Sequence, residues 1–101
     1  GVVTICCLVS PSEDIRQLAK KIIGEKDFYE VFINTSLDTC EKRDTKGLYK
    51  KARKGEINDF TGISSNFETP KNSALNITTE GKSIEESGEL LLKEILTKIN
   101  S

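Results

Sequence analysis

Between residues 42 and 54 the sequence gathers seven cations, Lys42, Arg43, Lys46, Lys50, Lys51, Arg53 and Lys54, against one acid, Asp44. That segment carries +6 in a chain whose net charge is −1, so the remainder carries −7. A short cationic stretch on an acidic body suits a local site for a polyanionic ligand. A surface that grips nucleic acid extends its positive charge further, and no nucleic-acid partner is expected. A second chemical feature is Phe60, set in Asn58-Asp59-Phe60-Thr61-Gly62. Polar and glycine neighbours offer a ring little apolar surface, whereas a purine face would offer stacking.

Other chemistries are excluded by composition. The chain has no histidine, which removes Ser-His and Cys-His nucleophile pairs and histidine metal ligands; no metal site is expected. Its cysteines, Cys6, Cys7 and Cys40, are odd in number and lack C-x-x-C spacing, so they do not suggest a disulfide framework. They read as reduced, buried, small apolar side chains, which points to the cytoplasm. No apolar run reaches membrane-spanning length and no cleavable signal is visible, so no membrane partner is expected. The sequence starts at Gly1, has no methionine and enters an apolar run at once, a start compatible with a cut fragment.

The elements that must position these residues alternate. Residues 2–9, VVTICCLV, are continuously apolar and β-branched, as in a parallel strand buried on both faces. Ser10, Pro11 and Glu13 then fit the N-cap, first turn and reciprocal partner of a capping box. Ile15, Leu18, Ala19 and Ile22 follow at helical spacing, and Gly24 suits the C-terminal cap. Residues 29–33 read as a second strand, and 35–44 as a helix with Thr35 and Asp38 at capping-box spacing. Residues 46–54 form a short basic helix closed by Gly55. Residues 56–70 are polar and without period, 74–77 are a third strand, and Ser83 with Glu86 opens a last helix. Its apolar stripe is Ile84, Leu91, Leu92, Ile95 and Ile99.

The order β-α-β-α-lid-β-α implies an α/β protein with a parallel sheet and flanking helices. Ligands of such sheets bind beyond the carboxyl ends of the strands. Those ends fall at Val9-Ser10, Asn34-Thr35 and Thr78-Thr79, and the basic segment leaves the same edge. An anionic ligand in that crevice follows from the placement alone.

Lys46-Gly47-Leu48-Tyr49-Lys50-Lys51-Ala52-Arg53, continuing through Gly55-Glu56-Ile57 to Phe60-Thr61-Gly62-Ile63, closely resembles the lid signature of adenylylsulfate (APS) kinases. Val9-Ser10-Pro11, Glu30-Val31-Phe32-Ile33-Asn34-Thr35, Cys40-Glu41-Lys42-Arg43-Asp44 and Phe67-Glu68-Thr69-Pro70 are similar to that family in the same order. The resemblance covers essentially the whole chain, residues 1–101. It implies the C-terminal half of a three-layer, P-loop-kinase-like domain with a lid at about residues 45–63. The implied reaction moves the γ-phosphoryl group of MgATP to the 3′-hydroxyl of adenosine 5′-phosphosulfate, giving PAPS.

The resemblance also implies residue roles. Val9 and Ser10 would line the APS pocket, Lys46 would meet its phosphosulfate, and Asp59 and Phe60 would contact its adenosine. Arg43 would lie along the ATP adenine, flanked by the loop from Thr79 to Lys82. The chemistry agrees, since phosphosulfate oxygens suit cationic donors and a mobile basic lid suits two nucleotides closing into a dry site. Departures matter equally. No G-x-x-x-x-G-K-[ST] loop occurs here, and the family's catalytic aspartate has no counterpart, so the chain alone should not transfer phosphate. Magnesium would be held by the N-terminal half. After Ser10-Pro11 many relatives carry an aromatic and a basic residue where this chain has Ser12 and Glu13, although Arg16 still matches.

Simpler roles stand beside the sharper ones. Capping accounts for Ser10 without a phosphorylated intermediate, and no catalytic residue is firm. Arg43 could merely complement a helix dipole. The cations of the basic helix cannot all reach one ligand; Lys46 comes first and Lys50 second. Expected partners are APS, ATP and the N-terminal half of the kinase, while fusion to an ATP sulfurylase and a homodimer are both compatible with the resemblance. The other function class is a non-catalytic, kinase-like regulatory domain that binds a sulfonucleotide.

Overall fold

A computed structural model describes residues 1–100. Two short strands, β1 (Val31–Ile33) and β2 (Leu75–Ile77), pair in parallel with Val31 opposite Leu75 and Ile33 opposite Ile77. Backbone bonds extend the pairing at both ends, from Leu75 N–H to the Glu30 carbonyl at 3.1 Å and from Asn34 N–H to the Ile77 carbonyl at 2.7 Å. Around this sheet lie α1 (Glu13–Ile23), α2 (Leu37–Lys42), α3 (Leu48–Arg53) and α4 (Ile84–Ile99), with a 3₁₀ turn at Glu25–Asp27. Ile77, 2% exposed, is the most deeply buried apolar side chain among the described residues.

Local signals set the helix ends. Gly24, at φ 98°, returns its N–H to the Lys20 carbonyl at 2.8 Å and stops α1. Gly55 is left-handed at φ 78°, with Gly55 N–H on the Ala52 carbonyl and Glu56 N–H on the Lys51 carbonyl, at 3.0 and 2.9 Å. That pair of bonds is a Schellman motif, and it ends α3. Ser83 and Glu86 close the expected capping box at the start of α4. The apolar stripe of α4 is covered only along Leu91 and Ile95, while Ile84, Leu92 and Ile99 are exposed.

Three expectations are corrected. Residues 2–9 form no strand among the described residues, and Val2, Val3, Ile5, Leu8 and Val9 are exposed. A strand buried on both faces needs ladder partners and covering layers, and here β1 and β2 pair only with each other. Cys6 and Cys7 are consequently exposed rather than buried. The first helix is capped at Ser12, not Ser10, and no side chain closes that cap. The carboxylate of Glu13 is instead drawn to Arg16 and Gln17. Ser36 rather than Thr35 caps α2, accepting from Thr39 N–H at 3.2 Å, because the Thr35 hydroxyl is engaged with that of Thr79.

The described surface is 8038 Å², against about 5,700 Å² expected of a compact protein of this mass. The radius of gyration, 15.4 Å, likewise exceeds the ~13 Å of a compact 100-residue domain. Polar contacts and caps therefore carry an unusual share of the local order.

Candidate functional site

Along the whole of β1 lies a cleft of about 1300 Å³, bounded by residues 2–10, α1, β1 with the residues before it, and the segment from Ile57 to Gly62. Val2, Thr4, Cys6 and Leu8 line it in alternation, the period of an extended chain. Val9, Ser10, Asn34, Thr35, Asp59 and Phe60 also line it. Four of the five residues proposed for the APS side, Val9, Ser10, Asp59 and Phe60, are thereby brought to one cavity. The fifth, Lys46, is exposed in the turn before α3 and does not line the cleft.

Two of these residues sit in strained backbone. Ser10 at φ 41° and Asp59 at φ 53° are the non-glycine residues with positive φ among those described. A single such residue costs roughly 1–3 kcal/mol and persists only where its surroundings over-determine it. Both strained positions fall on the same cavity, although one lies just before α1 and the other in the segment after α3.

Phe60 has more support than its sequence neighbours suggest. Its ring meets the edge of Tyr49 at a centroid distance of 5.0 Å and an interplanar angle of 76°. Its N–H donates to the Ser64 hydroxyl at 2.7 Å, and its carbonyl accepts from the N–H groups of Ile63, Ser64 and Ser65. The loop tip is thus tied around the Phe60 backbone, and the ring remains half-buried. Burial, followed by the neighbouring Cys40, Asp44 and Glu41, pushes the Tyr49 phenol above its ordinary pKa, so Tyr49 presents a neutral ring and hydroxyl. Helix α3 is joined to α2 by Arg53 Nε on Glu41 Oε1 at 2.7 Å, an ion pair that raises the Arg53 pKa.

The three residues proposed for the ATP side form a separate cluster. Arg43 donates from Nη1 to Thr79 Oγ1 at 2.7 Å and from Nη2 to the Thr79 carbonyl at 2.8 Å. Lys82 N–H closes a turn on that same carbonyl at 3.1 Å. The neighbouring Glu80 carboxylate accepts from Ser36 N–H at 2.7 Å and from the Thr39 hydroxyl at 2.6 Å. Those bonds, the Thr39 hydroxyl first, hold the Glu80 carboxyl down to about 2. Both ends of α2 therefore grip the 79–80 turn. Thr35 joins the two regions, since it lines the cleft and its hydroxyl meets that of Thr79.

Three residues escaped the sequence reading as organisers of this region. Thr35 and Glu80 act through partners 44 positions away. Arg16 is 7% exposed and bridges segments 52 positions apart. Its match to the family pattern was visible in the sequence, but its partners were not.

Comparison with known proteins identifies the family. The family model described as adenylylsulphate kinase matches residues 1–78. An adenylyl-sulfate kinase of Bacteroides thetaiotaomicron is 56% identical over 99 residues, which are 98% of this chain and 49% of that protein. That of Bacteroides fragilis is 50% identical over 100 residues, 99% of this chain and 50% of its own length. Among solved structures, a Mycobacterium tuberculosis APS kinase in complex with AMPPNP and APS matches with a TM-score of 0.78 at 44% identity. The match covers 93% of this chain and 53% of that one. The chain thus spans about half the length of the relatives it matches, and its parallel α/β fold is the one those kinases have. On the family match and these identities, the chain belongs to the adenylylsulphate kinase family.

Proposed function

We propose that the protein containing this chain is an APS kinase of the cytoplasm, moving the γ-phosphoryl group of ATP to the 3′-hydroxyl of APS to give PAPS for sulfate assimilation. Residues 1–101 supply the C-terminal part of its domain, with a lid at about 45–63, and the phosphate-binding loop lies outside them. Val9, Ser10, Asp59 and Phe60 take APS, with Lys46 reaching its phosphosulfate when the lid closes. Arg43, Thr79 and Lys82 take the ATP base. Among the described residues no three His, Cys, Asp or Glu side chains converge to hold a metal. The magnesium that accompanies ATP is assigned to the N-terminal half, which the phosphate-binding loop belongs to, and no step is routed through it.

One observation carries this reading. Apart from Lys46, the proposed contacts fall into two spatial groups, one on the cleft and one at the Arg43–Thr79 turn, and Thr35 joins them. A transfer between two nucleotides needs two such adjacent places, oriented before reaction. What these residues contribute is binding and orientation: an aromatic face, a cationic fork, and a basic segment that can exclude water as it closes.

The test is a coupled assay of PAPS formation by the full-length protein with MgATP and APS. Turnover dependent on both nucleotides is expected, with none above background from the 101-residue chain alone. A full-length protein that neither turns over APS nor binds it would overturn the proposal.

A further inference from the structure

Arg16 is the most buried charge among the described residues, at 7% exposure, in a chain with little core. Both terminal nitrogens of its guanidinium are engaged on one face of the cleft. Nη1 donates to the Ser10 carbonyl at 2.6 Å. Nη2 donates to Glu13 Oε2 at 2.5 Å and to the Glu68 carbonyl. The plane lies 5.4 Å from the centroid of Phe67, and Phe67 in turn stacks on Phe32 of β1 at 6.1 Å. Nε has no hydrogen-bond partner, and the nearest carboxylate oxygen, from Glu30, is 3.7 Å away.

These contacts converge on two segments far apart in sequence. One is the strained Ser10 at the cleft. The other is the turn that follows the lid, whose Glu68 N–H also donates to the Pro11 carbonyl at 2.8 Å. A serine at φ 41° has none of glycine's freedom there and needs an external hold. Arg16 supplies one by fixing the Ser10 carbonyl, and the same guanidinium fixes the turn that follows the lid. A planar fork can satisfy both carbonyls at once, whereas an ammonium on a flexible stem cannot hold that geometry.

We propose that Arg16 is a positioning residue for the acceptor-nucleotide side of the cleft. It sets Ser10 and the turn that follows the lid in fixed relation without itself touching a ligand. The inference rests on the APS kinase reading above, and it predicts an asymmetry. Arg16 contacts Ser10 and Glu68 but none of Arg43, Thr79 or Glu80, so disturbing it should affect APS and spare ATP.

The experiment is Arg16→Lys in the full-length protein, with KM for APS, KM for ATP, kcat and thermal melting measured together. We expect KM for APS to rise about tenfold while KM for ATP stays within about twofold. A purely structural role would reduce the fraction of active protein, lowering apparent kcat and Tm without separating the two KM values. Equal changes in both KM values, or no change in either, would overturn the proposal. Should Arg16→Lys fail to fold, Glu13→Gln keeps the guanidinium but weakens the carboxylate that aims it. A two- to threefold rise in KM for APS alone is then expected, and an unchanged KM refutes the idea. Wild-type protein that does not bind APS would remove the kinase reading and this inference together, an outcome distinct from wild-type binding with an indifferent variant.

Discussion

The two regions proposed for the two nucleotides are built differently. The Arg43–Thr79–Glu80 turn is a closed set of polar contacts, with Arg43, Ser36 and Thr39 each spending donors on it. The cleft side is open, bounded by an exposed apolar segment, two residues in left-handed backbone and one aromatic ring on a loop. The turn can be completed by neighbours already present in the chain. The cleft exposes surface whose natural covering is a ligand or further layers of structure. A preformed polar clasp and an open cleft therefore sit side by side, joined at Thr35.

The sharpest way to break this comparison is Phe60→Ala in the full-length protein. Base stacking is worth roughly 1–3 kcal/mol by alanine substitution, or about a five- to 150-fold loss. The loss should fall on APS and PAPS, with ATP affinity unchanged. The edge contact with Tyr49 adds about 0.5–1.5 kcal/mol, so melting should fall by only a few degrees. A lower Tm with normal APS binding would make Phe60 a structural ring and the open side merely unfinished.

Next in size is Arg43→Ala, expected to weaken ATP about tenfold, or ~1.4 kcal/mol, with little effect on APS. Nucleotide titrations that show APS affinity falling while ATP is unaffected would exchange the two sides.

The smallest effect concerns pH. The Glu80 carboxyl is held at about 2, below its ordinary value of 4.5, chiefly by the Thr39 hydroxyl. A depressed carboxyl stabilises the folded state fully above its unfolded pKa and loses that contribution as pH falls through its folded one. The difference in melting between wild type and Glu80→Gln should therefore be constant above about pH 5 and vanish toward pH 2. A difference independent of pH across that window would show that the clasp does not depend on the charge.

How much of this was legible in the sequence depended on the range of each interaction. Gly24, Gly55 and the Ser83–Glu86 box were readable because capping is settled within one or two turns. The cap at Ser10 was misread because Glu13 answers to Arg16, whose other partner is Glu68, 52 positions on. Thr35 satisfied every local criterion for a cap, and Thr79, 44 positions away, took its hydroxyl. Residues 2–9 have the composition of a buried strand, but composition specifies a preference for burial and cannot supply the neighbouring strand. The grouping of Arg43 with Thr79 and Lys82 came from family resemblance, since neither charge nor periodicity brings those positions together. The contact between Phe60 and Tyr49 was missed because residues 56–70 show no period from which a packed face could be inferred.

The run from Val2 to Val9 has a consequence beyond nucleotide binding. It contains no charge, no proline and no glycine, and most of its large side chains face solvent. Such a run, rich in β-branched residues and without gatekeepers, is a template for pairing with its own copies. A net charge of −1 offers little colloidal repulsion to oppose this. Its two adjacent thiols are also open to oxidants for as long as the run stays uncovered. Where no further structure shelters it, this stretch is open to recruitment into intermolecular sheets.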